Sequence, residues 1–297
     1  MPSTKFITLG TAGGPTPKPK RMPPAHAVVY DRGTILVDCG EGSFQQLRRA
    51  GIDFSRVREL FITHHHFDHI GSLFACLGLN MMVLRDEPMN IYGPPGTTEI
   101  LSHLIAACDI PQATGYAVPG QTLPHPRDFI VSRDISPGDI IKIDNIRITA
   151  CENTHYRAED QFGQKGPVSL SYRFDAPDRS MVFTGDTGPC QMLEDLAKGV
   201  DLLVGEMMDT DILLNHLRSQ NSDISAQTLD KWRQHFTEHH LTPEDLGELA
   251  SRAGVKQLVA VHIPFITKSS DEDAKYVSRI STKFDGRIMI SEDLGEY

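Results

Sequence analysis

Thr63-His64-His65-His66-Phe67-Asp68-His69 follows the apolar run Val57–Ile62 and precedes a helical pattern at Ile70–Leu84. A buried strand that ends where a helix begins makes a natural ligand platform. His64 and His66, two apart in extended chain, project to the same side, while Asp68 and His69 lie past the turn and can point back toward them. Of the 13 histidines in the chain, four crowd into this short window around one aspartate, a density that core packing explains poorly. Imidazole and carboxylate donors without thiolate suit Zn²⁺, and also Mn²⁺ or Fe²⁺. By strand alternation the central His65 should point away from its two neighbours and pack elsewhere.

On either side of this stretch, short β-branched or alternating runs predict strands at Phe6–Leu9, Ala27–Tyr30, Thr34–Val37, Glu59–Thr63, Ile91–Tyr92, Ile140–Ile143, Ile146–Cys151, Ser169–Phe174, Met181–Thr184, Leu202–Gly205 and Leu258–Val261. Helical patterns fall between them at Ser43–Ala50, Gly71–Leu84, Thr97–Ala107, Gln191–Ala197, Ser225–Thr237 and Pro243–Ala253. The last is the best signalled, with Thr242 as N-cap, Pro243 at the first helical position, Asp245 completing a capping box and Gly254 as the stop. Among 297 residues, 39% are apolar and 23% charged, so the chain has the material for a buried core and is neither disordered nor a coiled coil. No repeat, low-complexity tract or long linker divides it, and one domain spanning 1–297 is expected. The five cysteines are odd in number and lack CxxC spacing, which argues against a disulfide framework or a thiolate zinc site and favours a reducing cytoplasm. No apolar run approaches a membrane span, and none resembles a secretory leader. The net charge of -10 disfavours a nucleic-acid partner unless basic residues are concentrated at one place. The loop Gly13–Pro24, with Lys18, Lys20 and Arg21, reads as a solvated surface loop.

The H-x-H-x-D-H pattern resembles that of the metallo-β-lactamase fold hydrolases, and other positions follow in that family's order. Asp38-Cys39-Gly40-Glu41-Gly42 looks like its strand-turn before the first helix, and His155, Asp186 and His262 each follow a predicted strand. The resemblance implies an α/β fold, an αββα sandwich of two mixed β-sheets with helices outside. It also implies one ion held by His64, His66 and His155, a second held by Asp68, His69 and His262, and Asp186 bridging both. Two divalent ions, zinc foremost, would lower the pKa of a bridging water and stabilise attacking and leaving oxygens. Asp68 would be ligand and general base or orienter. The Gly-x-Ser-x-Gly elbow of a serine hydrolase is missing.

Within that superfamily the chain is similar to the ribonuclease Z and arylsulfatase-like branch. Leu9-Gly10-Thr11-Ala12-Gly13-Gly14-Pro15, Val37 through Leu47, and the pair Leu202-Leu203-Val204-Gly205-Glu206 with His240-Leu241-Thr242 carry this resemblance. It implies that His240, or the adjacent His239, donates a proton to the leaving group under the influence of Glu206. The segment between His155 and Asp186 looks too short for the long arm with which ribonuclease Z grips transfer RNA, and Gly205-Glu206-Met207-Met208 departs from that family's His-Glu-Ala-Thr. Residues 207–238 carry Met207, Met208, Leu213, Leu214, Trp232 and Phe236, which read as core or as a lid or dimerisation element walling an apolar pocket. The function expected from all this is binuclear metal-dependent hydrolysis of a small ester-like bond in a carboxylic ester, lactone, aryl sulfate or phosphodiester. The expected partners are a small-molecule substrate and a second copy of the chain, with neither nucleic acid nor membrane. The alternatives are an RNA phosphodiesterase like ribonuclease Z and, from another class, a metal-binding sensor or partner protein without turnover.

Overall fold

A computed structural model of the chain describes residues 4–115, 118–156, 166–220, 223–263 and 270–297. They form two compact units, one of residues 1–11, 21–135 and 292–297, the other of residues 12–20 and 136–291. Each unit is a mixed β-sheet with helices, so the chain has the α/β architecture of two mixed sheets flanked by helices that the sequence predicts.

The first unit holds six strands in sequential order: β1 (Lys5–Gly10), β2 (Ala25–Tyr30), β3 (Gly33–Val37), β4 (Val57–Phe61), β5 (Met89–Gly93) and β6 (Ile130–Asp134). The first three pair antiparallel, and β3 to β6 run parallel. The parallel strands β3 and β4 are buried almost throughout, as a sheet covered by helices requires. Leu36, Leu60, Ile62, Leu77 and Ile91 form the centre of the core. Each such side chain contributes roughly 1.5–3 kcal/mol through burial. The edge strand β1 is covered by the segment Glu292–Tyr297, which returns from the far end of the chain. Thr8 N–H donates to the Gly295 carbonyl (3.0 Å), Leu294 N–H to that of Thr8 (2.6 Å) and Tyr297 N–H to that of Phe6 (2.9 Å).

The second unit has seven strands in the order β13-β12-β11-β10-β9-β8-β7. β7 (Ile140–Ile143), β8 (Ile146–Glu152), β9 (Leu170–Asp175) and β10 (Ser180–Phe183) form an antiparallel meander, and β10 continues in parallel to β11 (Leu202–Glu206), β12 (Gln257–Val261) and β13 (Arg287–Ile290). Leu203, Leu246, Leu258, Tyr276 and Ile280 belong to its core. The helix Pro243–Ala253 has the predicted ends: Thr242 Oγ1 accepts from Asp245 N–H at 3.1 Å, and Gly254 closes the helix at φ 63°. No described helix is long and apolar enough to cross a membrane.

Several local expectations are corrected. β4 stops at Phe61 rather than Thr63, because Thr63 leaves the ladder to bond the Asp38 carboxylate. Strands β6 and β13 and the helices Thr210–Gln220 and Ser270–Ser281 are additional. Arg21 does not face water; it is buried and donates to Thr11 Oγ1 at 2.7 Å. Within residues 207–238, Met207, Met208, Leu214 and Leu229 are buried, while Trp232 and Phe236 are half-buried.

Candidate metal centre

In the first unit the ligand platform is built by one carboxylate. Asp38 follows β3 at φ 60°, a strained conformation for a non-glycine residue. Its Oδ1 accepts from Thr63 N–H at 2.8 Å, and its Oδ2 accepts from the Thr63 hydroxyl at 2.9 Å and from His69 Nδ1 at 2.8 Å. The carboxylate thereby fixes both the end of β4 and the orientation of one imidazole, leaving His69 Nε2 to face Asp68 Oδ2 at 3.6 Å. His64 places Nδ1 3.0 Å from Thr63 Oγ1 and Nε2 3.1 Å from His66 Nδ1, with its ring centroid 4.0 Å from that of His69. Three imidazoles and a carboxylate so close together gain little from packing, whereas divalent cations would satisfy them.

The second unit supplies a matching set. Asp186, beyond β10, directs Oδ2 at His262 Nε2 (3.2 Å) and lies 3.9 Å from His155 Nε2. All three are buried. The His155 ring is held through Nδ1 by the His239 carbonyl at 3.1 Å, which turns Nε2 toward Asp186. His262 follows β12 at φ 56°, and a Cβ on Gly13 would lie 2.8 Å from its carbonyl oxygen, so glycine lets the chain pass beside it.

Against this set stands a buried acid–base pair. His240 Nδ1 donates to Glu206 Oε1 at 2.9 Å, and the same oxygen accepts from Thr187 N–H (3.0 Å) and Leu241 N–H (3.3 Å). Burial on its own would strip the His240 proton; the Glu206 carboxylate, helped by Asp186, outweighs it and holds the imidazole above its ordinary pKa. Asp186, His240 and His262 also form a candidate metal cluster by themselves, so His240 lies within reach of ligand positions.

Histidine and carboxylate side chains of the chain thus form candidate metal-binding clusters, the donor chemistry of a binuclear metal-dependent hydrolase. In the first unit the structure brings together His64, His66, Asp68 and His69, and in the second His155, Asp186 and His262, with Glu206 and His240 alongside. His65 turns to Thr97 Oγ1 at 2.8 Å, away from the cluster, and burial lowers its pKa. His239 engages the Thr154 carbonyl through Nδ1 at 3.0 Å. Sequence reasoning overlooked the orienting roles of Asp38 and Thr63; an aspartate directly after a buried strand, in register with the end of the next, was the available signal.

The chain is 28% identical over 292 residues to a Ribonuclease Z of Mycobacterium avium, an alignment covering 97% of this chain and 96% of that protein. Among solved structures it resembles the metallo-beta-lactamase fold protein YhfI from Bacillus subtilis, with a TM-score of 0.70 at 17% identity covering 99% of this chain and 98% of the other. It also resembles human tRNase Z, short form, with a TM-score of 0.66 at 19% identity covering 99% and 98%. The expectation that nucleic acid is not a partner is overturned by these relatives. The whole-chain charge on which it rested averages over the surface and says nothing of where the arginines lie. The family described as the beta-lactamase superfamily domain matches residues 33–263, and the chain belongs to it.

Proposed function

We propose that the chain is an RNA phosphodiesterase that works with two zinc ions. The observation that carries this reading is the similarity to Ribonuclease Z along 97% of the chain. In it, His64, His66 and His155 would hold one ion and Asp68, His69 and His262 the other, with Asp186 contributing to both. The candidate metal-binding clusters of histidine and carboxylate side chains support a centre of this kind. When bound, such a pair of ions supplies Lewis acidity at the phosphoryl group and makes water a stronger acid. Asp68 accepts a hydrogen bond from the attacking water and orients it. His240 gives its Nε2 proton to the departing ribose oxygen, a poor leaving group for which a proton donor counts most. Glu206 keeps that imidazole protonated and fixes its orientation through Nδ1. The engagement of His239 with the Thr154 carbonyl favours His240 over His239 in this role.

Residues 207–238 act as a lid in the same reading. Their second helix, Ala226–His239, runs directly into His240, which ties any movement of the helix to the proton donor. The family match runs through both units, which supports one domain spanning 1–297. Five free cysteines suit work in a reducing cytoplasm. The test is a substrate panel on the metal-reconstituted protein: precursor transfer RNA, carboxylic esters, lactones and aryl sulfates. Salt-sensitive cleavage of the RNA is expected. Turnover of esters, lactones or sulfates with no RNA cleavage under any metal would overturn the proposal.

A further inference from the structure

At the other end of β4 from His64 lies a feature that the metal chemistry does not use. Arg32 before β3, Arg56 closing the short turn Phe54–Arg56, Arg58 on β4 and Arg85 beyond the helix Leu73–Met82 line an open recess of about 430 Å³. Arg85 is buried, and its guanidinium plane is fixed entirely by neutral oxygens: the carbonyls of Glu87 (2.8 Å), Ser55 (3.2 Å) and Pro88 (3.2 Å) and Asn80 Oδ1 (2.9 Å). These contacts hold the group in place without cancelling its charge. Burial pulls its pKa below the usual guanidinium value, as expected of a cation with incomplete compensation. Glu87 is paired with Arg58 at 2.5 Å, but both side chains are more than half exposed, and such pairs exchange readily for a better anion. Asp86 is the other carboxylate of the lining, so four arginines face two acids in a chain whose net charge is -10. Leu84, 44% exposed at φ 60°, adds an apolar rim.

We propose that this recess is a phosphate-binding exosite for the backbone of the RNA substrate, an assignment that rests on the phosphodiesterase reading above. The guanidinium forks of the exposed Arg32, Arg56 and Arg58 match phosphate oxygens in bidentate geometry, while Arg85, its N–H groups engaged by protein oxygens, adds a fixed positive charge beneath them. The path from Arg58 along β4 and on to His64 is up to about 20 Å, so a phosphate held here belongs to a different nucleotide from the one at the bond being cleaved. The exosite therefore acts on RNA affinity and leaves the chemistry of small substrates alone.

The experiment compares the metal-loaded wild type with Arg32→Glu/Arg56→Glu, whose positions are exposed and outside the catalytic machinery. Three quantities are read: binding of fluorescently labelled transfer RNA across a salt series, cleavage of precursor transfer RNA, and turnover of bis-nitrophenyl phosphate. The expected result is about tenfold or greater loss of RNA affinity, a salt slope reduced by about two, and a raised KM on precursor RNA. Turnover of the small diester should be unchanged. Arg32→Gln/Arg56→Gln, which removes charge without reversing it, should show a smaller loss of the same kind and serves if the double glutamate variant folds poorly. Equal RNA affinity and salt slope in wild type and variants overturns the exosite, as does a wild type that binds no RNA. Cleavage of precursor RNA without dependence on these arginines would sink the exosite alone, whereas its absence in wild type would sink the phosphodiesterase reading.

Discussion

Replacing His240 with alanine separates proton donation from every other role that residue could have. The ring is 7% exposed and bonded to a glutamate that is 1% exposed, so its substitution removes a buried, oriented donor rather than a surface charge. General acid catalysis contributes roughly 10²–10⁴-fold, or about 2.7–5.5 kcal/mol in the barrier. His240→Ala should lose that factor in kcat on RNA or an alkyl phosphodiester and lose little on a nitrophenyl diester, whose leaving group needs no proton. Glu206→Gln keeps an acceptor for Thr187 N–H, Leu241 N–H and the imidazole, and loses only the charge. The difference between a charge-assisted and a neutral hydrogen bond is about 1 kcal/mol, so a loss of about fivefold is expected on the same substrates. The assay is steady-state turnover of a leaving-group series, with metal content measured on every variant. Equal losses across the series would refute proton donation and leave His240 a positioning residue. Loss of metal would instead place it among the ligands, an outcome open to it through its grouping with Asp186 and His262.

Three further outcomes are expected. Chelation should abolish activity, and reconstitution should restore it with two ions per chain by elemental analysis; a single ion at saturation, with His262→Ala fully active, would contradict the shared centre. Gly188→Ala should destabilise the protein by roughly 1–3 kcal/mol, because the new Cβ meets the Glu238 carbonyl, and should impair leaving-group protonation by shifting the turn into His240; an unchanged melting temperature would count against that packing. Asp201 accepts from Lys256 Nζ and from Ser180 N–H and hydroxyl, which together outweigh burial and hold its carboxyl down to about 2. Its stabilisation is present above the unfolded carboxylate pKa and lost as pH falls through the folded one. Asp201→Asn should therefore cost roughly 1 kcal/mol near neutrality, after allowance for solvent screening, with the cost shrinking below the unfolded carboxylate pKa and vanishing only as pH drops below the folded one, as thermal melts across pH would reveal.

The clustered histidines and carboxylates were legible because metal coordination favours particular residue types at strand ends, and both features are written locally in Thr63–His69, His155, Asp186 and His262. The Thr242–Gly254 helix was equally legible, since its caps are local chemistry. Asp38 was seen only as part of a turn, because its partners, Thr63 and His69, come from a different strand connection and meet it through tertiary structure. β6 and β13 escaped detection because they are short and largely unburied, so neither carries a clear alternation. The helix Ser270–Ser281 was hidden by its acidic first turn, with Tyr276 and Ile280 its buried anchors. The charge argument failed for a related reason: a total carries no positions, and Arg32, Arg56, Arg58 and Arg85 are gathered only where the β2–β3 turn, the start of β4 and the loop beyond the helix Leu73–Met82 meet.

The six residues that cover β1 are translated long after it, although they belong to the unit that β1 opens. Throughout synthesis, the N–H and C=O groups that later bond Glu292–Tyr297 stand open along a sheet edge, the kind of template on which neighbouring nascent chains pair. Cutting that segment away from the folded protein would reopen the same edge. A copy placed ahead of β1 would close the edge almost as soon as β1 emerges.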